Sequence, residues 1–156
     1  MLHDLTGLFS NVILRCAFFG WLIAQLLKVP IYYIMDNKLD WRRALSSGGM
    51  PSSHSAAICA ATMSIGLIEG FHTSIFGLAF VISIVVMYDA SGVRRAAGQH
   101  AVILNEIVDV MRAEVELTED RLKEWIGHTP LEVFVGAWLG VITGIVVTLV
   151  SVRPPA

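Results

Sequence analysis

Two long stretches without charge constrain the fold of this chain more than any other feature. Residues 70–88 and residues 133–152 contain no Asp, Glu, Lys or Arg. Each stretch approaches the roughly 20 residues that a helix needs to cross a bilayer. Hydrophobic residues make up 55% of the 156-residue chain and charged residues 15%, which is too apolar for an ordinary soluble domain. The pattern predicts an all-α integral membrane protein; the alternative is a soluble α-helical protein with buried core helices.

Two further apolar segments extend this prediction to a helical bundle with about four transmembrane helices. Residues 55–68 are uncharged but short, and residues 12–35 carry the charges of Arg15 and Lys28. Lys28 can extend from a helix end towards water, whereas Arg15 must face an interface or a partner, which leaves a homo-oligomer open. A chain of this length forms one domain, so we expect a single membrane-embedded unit over residues 1–156.

The polar regions of the chain are expected to share one face of the membrane. With four crossings, the loop 35–54 and the polar region 91–130 lie on the same side, together with most of the Lys and Arg residues. The positive-inside rule makes that face cytoplasmic. Within the second region, residues 93–116 have a helical amphipathic period that is typical of an interfacial helix, and residues 121–127 indicate another short helix. The net charge of −2 gives no support for a nucleic-acid partner.

Residues 48–55 are the segment with the most chemical information. Glycines and a proline precede Ser52, Ser53 and His54, which lie at the expected start of a helix. Hydroxyls and free backbone amides at a helix N-terminus can bind a phosphate, and the helix dipole favours the anion. His54 adds a group that can donate a proton near neutral pH. The alternative interpretation is a simple N-cap, because Ser before an apolar run is a common cap.

Two further polar clusters lie on the same predicted face. One contains Asp89, Arg94 and Arg95, and the other contains His128 and Glu132. Together with His54, the candidate catalytic residues are Asp89, His128 and Glu132, and the two arginines are candidates for phosphate binding. Two histidines, hydroxyls and cations at a membrane surface suggest a phosphate ester as substrate, since one imidazole can attack phosphorus while the other protonates the leaving oxygen. Glu132 follows His128 by four residues and can orient its ring. Alternatively, the arginines only anchor the helices, Asp89 pairs with a nearby Arg or caps the next helix, and His128 has no catalytic task.

Four motifs carry a family resemblance. They are Ala-Gln-Leu-Leu-Lys at 24–28, Gly-Gly-Met-Pro-Ser-Ser-His-Ser-Ala at 48–56, Tyr-Asp-Ala-Ser-Gly-Val-Arg-Arg-Ala-Ala-Gly at 88–98 and Gly-His-Thr-Pro-Leu-Glu-Val-Phe-Val-Gly-Ala-Trp-Leu-Gly at 127–140. In this order they resemble the divergent, short branch of the type 2 phosphatidic acid phosphatase superfamily, which is related to acid phosphatases and vanadium-dependent haloperoxidases. The resemblance extends over residues 11–144.

The resemblance implies a role for each matching residue. His128 would be the nucleophile that forms a phosphohistidine, and His54 the acid that protonates the leaving group. The residues that would bind the phosphate oxygens are Lys28, Ser52, Ser53 and one of Arg94 and Arg95. The chain departs from the superfamily pattern at three points. The Arg-Pro of the first motif and the Arg shortly before the nucleophilic His are missing, and Glu132 replaces an Asp.

The sequence therefore predicts a membrane-embedded phosphatase that hydrolyses a lipid phosphate, or a similar monoester or diphosphate, among membrane lipids. We expect neither a metal nor a cofactor, since the sequence has no carboxylate cluster suited to Mg²⁺. The alternative is a lipid- or anion-binding membrane protein that keeps the phosphate pocket without turnover. A haloperoxidase activity has no support beyond the shared pocket.

Overall fold

The protein is a bundle of five α-helices in the part of the chain that the computed structural model describes, residues 7–36, 48–112, 122 and 127–152. The helices are α1 (Val12–Asp36), α2 (Ser53–Glu69), α3 (Ser74–Ser91), α4 (Val93–Arg112) and α5 (Pro130–Val152). Three stretches are long and apolar enough to cross a membrane, namely Val12–Ile34, Ser74–Met111 and Pro130–Val152. The predicted all-α membrane bundle is therefore confirmed. With 17 residues, α2 is not among these candidate spans.

Side-chain caps define where the first three helices begin. The Asn11 carboxamide accepts hydrogen bonds from the amides of Ile13 and Leu14 at 2.9 and 3.2 Å. Ser52 caps α2 and Thr73 caps α3 in the same way, each through its side-chain oxygen. Such caps satisfy amides that have no partner within the helix. The cap at Asn11 starts α1 at residue 12, and residues 7–10 before it are also helical.

Small residues bring α2 into the centre of the bundle, where it contacts α1, α3 and α5. Gly136, Gly140 and Gly144 recur every fourth residue of α5 and face the backbone of α2 at Ser52, Ala56 and Ala60. A Cβ atom at any of these glycines would collide with a carbonyl oxygen of α2. Packing of this kind stabilises helix pairs within membranes, where burial of apolar surface supplies little driving force. The consequence is that the N-terminal ends of α2 and α5 lie side by side.

Hydroxyl and thiol groups connect the helices below this contact. Thr148 of α5 donates to Ser64 of α2 at 2.9 Å and lies 3.5 Å from the Cys16 sulfur of α1. All three side chains are buried. Cys16 therefore acts as a small packing residue. Cys59 of α2 is also buried, and both cysteines are free thiols. Arg15 precedes this cluster in α1, and its buried Nε has no hydrogen-bond partner among the residues that the structure describes.

The polar region after residue 91 begins with a helix rather than a loop. Only Gly92 separates α3 from α4, and its amide donates to the carbonyl of Tyr88 at 2.8 Å. The amphipathic helix predicted for residues 93–116 is observed over Val93–Arg112. Among the described helices, α4 contacts α3 alone. The short helix predicted for residues 121–127 and most of the loop 35–54 lie outside the described residues.

Candidate functional site

The ends of three helices bring the two predicted catalytic histidines together. The ring centroids of His54 and His128 are 6.5 Å apart, with the ring planes inclined at 61°. The Ser52 amide donates to the Glu132 carbonyl at 3.0 Å, and the His128 amide donates to the Ala90 carbonyl at 2.9 Å. The first bond joins the first turn of α5 to the start of α2, and the second joins the segment before α5 to the end of α3. A phosphoryl group about 3 Å from each imidazole fits between the two rings.

His128 is buried and oriented by one carboxylate. Its side chain is only 3% exposed, and Nδ1 lies 3.1 Å from Oε2 of Glu132. Because an ionised carboxylate only accepts hydrogen bonds, this contact assigns the proton of a neutral ring to Nδ1. The other nitrogen, Nε2, is buried and has no hydrogen-bond partner within the described part of the chain. The unprotonated lone pair of Nε2 is therefore available as a nucleophile.

Glu132 reaches His128 through a capping box. The sequence predicts an interaction between residues four apart in one helix, but α5 begins only at Pro130, so His128 precedes it. Thr129 is the cap: its hydroxyl accepts from the Glu132 amide at 3.3 Å, and Oε2 of Glu132 accepts from the Thr129 amide at 3.1 Å. The Thr-x-x-Glu spacing is the signature of this arrangement. Thr129 is a site residue that sequence reasoning missed, although this signature could have found it.

Lys28 is the innermost cation of the site. The residue is 0% exposed near the end of α1, and its charge acts on both Glu132 and His54. A lysine is almost never fully buried unless a counter-charge accompanies it. Lys28 thus lies within electrostatic reach of two of the predicted catalytic residues, Glu132 and His54.

The two arginines of the third cluster have different environments. Nε of Arg94 lies 2.6 Å from Oδ2 of Asp89, and both side chains are substantially exposed. This is the pairing that the sequence left open for Asp89. Arg95, by contrast, lines a cavity of about 260 Å³ together with His128 and Glu132. Of the two, Arg95 is therefore the one that lines a cavity together with the predicted nucleophile.

Gly127 permits the close approach between this arginine and His128. Its φ of +100° lies in the region that favours glycine. A Cβ atom at this position would collide with the backbone of Arg94 and Arg95. The sequence predicted Gly127 as the end of a short helix. In the structure, Gly127 lets the segment before α5 lie directly against the start of α4.

The cavity is small and has a polar side that the sequence did not indicate. Tyr32 of α1 and Gln99 of α4 line it together with Gly49. Its volume is below the roughly 300–1,000 Å³ of pockets for drug-sized ligands. Of the predicted site residues, Arg95, His128 and Glu132 line this cavity, whereas His54, Lys28, Ser52 and Ser53 are not part of its lining. No sequence motif singled out Tyr32 or Gln99, because each lies outside the four recognised motifs.

The serines lie at the start of α2, and both are buried. The Ser52 hydroxyl accepts from the Ser55 amide at 3.4 Å and from the Ser55 hydroxyl at 3.0 Å. Ser52 thus acts as the helix cap that the sequence offered as the alternative to phosphate binding. Its own hydroxyl hydrogen can still be donated to a phosphate oxygen. Ser53 is only 2% exposed.

His54 is the exposed member of the histidine pair. Partial burial of its ring and the positive charge of Arg94 lower the pKa of His54, with smaller effects in the same direction from His128 and Lys28. Asp89 acts in the opposite direction. Because the charges of neighbouring groups set which form of His54 is present, its protonation responds to the anion or phosphate ester bound beside it.

Comparison with known proteins gives a consistent assignment. Residues 9–143 match the Divergent PAP2 family. The chain is also 39% identical over 154 residues to the "Uncharacterized membrane protein YuiD" of Bacillus subtilis (strain 168), covering 92% of this chain and 95% of that protein. No solved structure matches the chain. Among the described residues, no group of three or more His, Cys, Asp or Glu is placed to hold a metal ion.

The match covers most of the chain and includes all four motifs on which the resemblance rests. The YuiD relative is a membrane protein by name, in agreement with the three apolar stretches. The chain belongs to the divergent PAP2 family.

Proposed function

We propose that this protein is a membrane-embedded phosphatase that hydrolyses a lipid phosphate, or a similar phosphate monoester or diphosphate, through a phosphohistidine intermediate. One observation carries the proposal. His128 is buried with Nδ1 on Glu132, its Nε2 has no partner among the described residues, and a second imidazole lies 6.5 Å away. A nucleophile with an orienting carboxylate and a nearby acid is the arrangement that covalent catalysis requires.

In the first step, Nε2 of His128 attacks phosphorus and the bond to the leaving oxygen breaks. His54, in its protonated form, transfers a proton to that oxygen, so the alcohol leaves neutral. The carboxylate of Glu132 stabilises the positive charge that develops on the His128 ring. Lys28 and Arg95 offset the negative charge on the phosphoryl oxygens, an electrostatic contribution that is often the largest in phosphoryl transfer.

In the second step, water attacks the phosphohistidine. His54 is now neutral and accepts a proton from the water, and the bond between phosphorus and Nε2 breaks. Inorganic phosphate leaves and His128 returns to its neutral form. The greater exposure of His54 fits this exchange with water, while the burial of His128 keeps its lone pair away from solvent protons.

The position of the site favours a lipid as the phosphate ester. His54 and His128 lie at the ends of helices whose outward faces are apolar, and exposed side chains such as Phe80 and Leu149 continue this surface away from the site. A phosphate at the helix ends leaves the hydrocarbon part of the molecule in the bilayer. We place this face on the cytoplasmic side, because the cations of α4 lie on it. Labelling of a Gln99→Cys variant by an impermeant maleimide, in intact cells against inverted vesicles, tests the orientation.

The second candidate is a membrane protein that binds a lipid phosphate or anion without turnover. The observation that favours it is the ion pair of Arg94 with Asp89, which occupies one of the two candidate cations. Glu132 in place of the superfamily's Asp is a second departure in the same direction, since its side chain is one methylene group longer. Binding of phosphate without release of product would support this candidate.

The deciding experiment measures phosphate release from phosphatidic acid by purified, reconstituted protein in the presence of a chelator. We expect release by the native chain, an acid-labile phosphoryl adduct on His128 and loss of both in His128→Ala. His54→Ala should lose release in the same way. His72→Ala is the matched control, because His72 is an exposed residue in the turn before α3. Activity that persists in both site variants contradicts the mechanism.

A further inference from the structure

A second cavity lies between α2 and α3, within the apolar part of the bundle. Its volume is about 170 Å³. Cys59 and Met63 of α2 line one wall, Ile84 and Met87 of α3 line the other, and the rings of Phe71 and Phe76 lie at the end furthest from the histidines. We refer to it as the α2–α3 cavity. No step of the phosphatase mechanism uses any of these residues.

The chemistry of its walls restricts the ligand to a hydrocarbon. Thr62 and Ser83 are the hydroxyl groups of the lining. Their oxygens lie 2.7 Å from each other, and both hydroxyls also donate to the carbonyl of Ala79, at 3.3 and 2.9 Å. Each hydroxyl has one hydrogen, and these internal acceptors use both. A ligand oxygen that needs a donor, such as that of a phosphate or an ester, would therefore lose its hydrogen bonds to water without gaining one from these hydroxyls, whereas an alkyl chain would lose none.

The cavity begins close below the phosphate site. Met87 precedes Asp89 by two residues in α3, which is about 3 Å along the helix axis, and Cys59 follows His54 by five residues, about 7.5 Å. From Met87 to Phe76 the lining covers eleven residues, about 16 Å. One leaflet of a bilayer has a hydrocarbon depth of about 15 Å. The lining residues of α3 are thus spread over a distance similar to the depth of one leaflet.

Two aromatic rings close the far end. Phe71 and Phe76 pack edge to face with their centroids 5.1 Å apart, and both rings contact the position of Gly66 on α2. An edge-to-face pair stabilises this arrangement beyond the area that it buries. A chain that enters from the side of Asp89 therefore meets a fixed floor.

We infer that the α2–α3 cavity binds one hydrocarbon chain of the lipid whose phosphate lies at His128, and that Phe71 and Phe76 limit the length of that chain. The link to His128 rests on the proposed function, whereas binding of the chain does not require turnover. The cavity would then select among lipid phosphates that have the same head group. Selection would depend on chain length, because an extra methylene group beyond the floor has no apolar wall to contact.

The test uses full-length protein reconstituted in phosphatidylcholine vesicles. The probe is phosphatidic acid with a diazirine in the middle of one acyl chain, and mass spectrometry locates the cross-link. We expect labelling at cavity residues such as Met63 and Met87 in excess over the lipid-facing Leu78 and Leu149. Equal labelling of both groups means annular lipid only and overturns the inference.

Two variants of α3 provide a matched pair. Ile84→Trp fills the cavity from its rim and should lower the cavity labelling about tenfold, roughly the discrimination that a small steric change gives in an apolar pocket. Leu78→Trp adds the same ring on a face that is 62% exposed and should leave the labelling unchanged. Cavity labelling that Ile84→Trp does not reduce overturns the inference, provided that the variant keeps the helical circular dichroism of the native chain.

The floor is tested by competition with unlabelled phosphatidic acids of increasing chain length. Phe76→Ala should shift the best competitor to a longer chain, while Phe18→Ala, on an exposed part of α1, should not. An unchanged preference overturns the length limit. Cavity labelling in a protein that releases no phosphate supports the chain site and refutes the phosphatase. Phosphate release without cavity labelling supports the phosphatase and refutes the chain site.

Discussion

His128 and Arg95 line the same cavity, yet they are held in different ways. The imidazole is buried, its Nδ1 is fixed by Glu132, and its backbone is tied to Ala90. The arginine is exposed on α4, a helix that contacts only α3 among the described helices. A nucleophile must be aligned within a fraction of an ångström, whereas a cation acts through its charge over several ångströms. We therefore expect changes on the histidine side to cost more than changes on the arginine side.

The largest effect on stability should come from the contact that brings the histidines together. In Gly140→Leu the new side chain collides with the backbone of α2 at Ala56. Backbone cannot yield as a flexible side chain does, so we expect a loss of about 3 kcal/mol in the free energy of unfolding, the upper part of the range for overpacking. Thermal unfolding in detergent measures it.

Gly77→Leu is the matched control for this substitution. A Cβ atom at Gly77 has no heavy atom within 4 Å, so the same change should stay within about 0.5 kcal/mol of the native chain. If both variants unfold at the same temperature, the contact between α2 and α5 does not hold the site together.

The largest effect on turnover should follow from Glu132→Gln. Glutamine retains the capping box, since Gln fills this position as well as Glu, but it removes the charge that fixes the proton on Nδ1 of His128. We expect phosphate release to fall by about 10⁴-fold, as in the loss of an orienting carboxylate from a catalytic triad. The unfolding temperature should change little. A large loss of stability with little loss of turnover would show that Glu132 serves only the cap.

The sequence could predict the helices but not which arginine faces the nucleophile. The uncharged stretches and the spacing of Val102, Ile103 and Ile107 carry periodic information, and α3, α4 and α5 follow from it. Arg94 and Arg95 are neighbours on α4, so their side chains point about 100° apart around its axis. Which one faces His128 depends on the hinge at Gly92 and on the backbone contact at Gly127, and neither leaves a signal in the hydrophobic pattern.

Substitution of the two arginines should have smaller effects on phosphate release, and the order of the two losses is itself a test. Arg95→Gln should lower phosphate release by about 10²-fold, the lower end for removal of one group that stabilises the transition state. Arg94→Gln breaks an exposed ion pair with Asp89, and such pairs contribute only about 0–1 kcal/mol, so we expect a loss of less than about tenfold. Steady-state kinetics of both variants decide the order. The reverse order would make Arg94 the phosphate ligand and Arg95 an anchor of α4.

The smallest effect is a shift of the pH profile. It reports on Arg94, whose charge acts on the pKa of His54. The first step needs protonated His54, so kcat/KM is lost as the pH rises through the pKa of this group. Since burial and Arg94 lower that pKa, the loss should be centred below the value of about 6.5 for an unperturbed histidine.

Two substitutions that each remove one charge should move this loss of activity in opposite directions along the pH axis. Arg94→Gln removes a positive charge near His54, which should raise its pKa and extend activity to higher pH. Asp89→Asn removes the negative charge that favours the imidazolium, which should confine activity to lower pH. Both shifts should shrink with added salt, because exposed charges are screened. If neither substitution moves the pH at which kcat/KM is lost, the group whose titration causes that loss is not His54. The exposed charges of Arg94 and Asp89 would then not control the protonation of the acid.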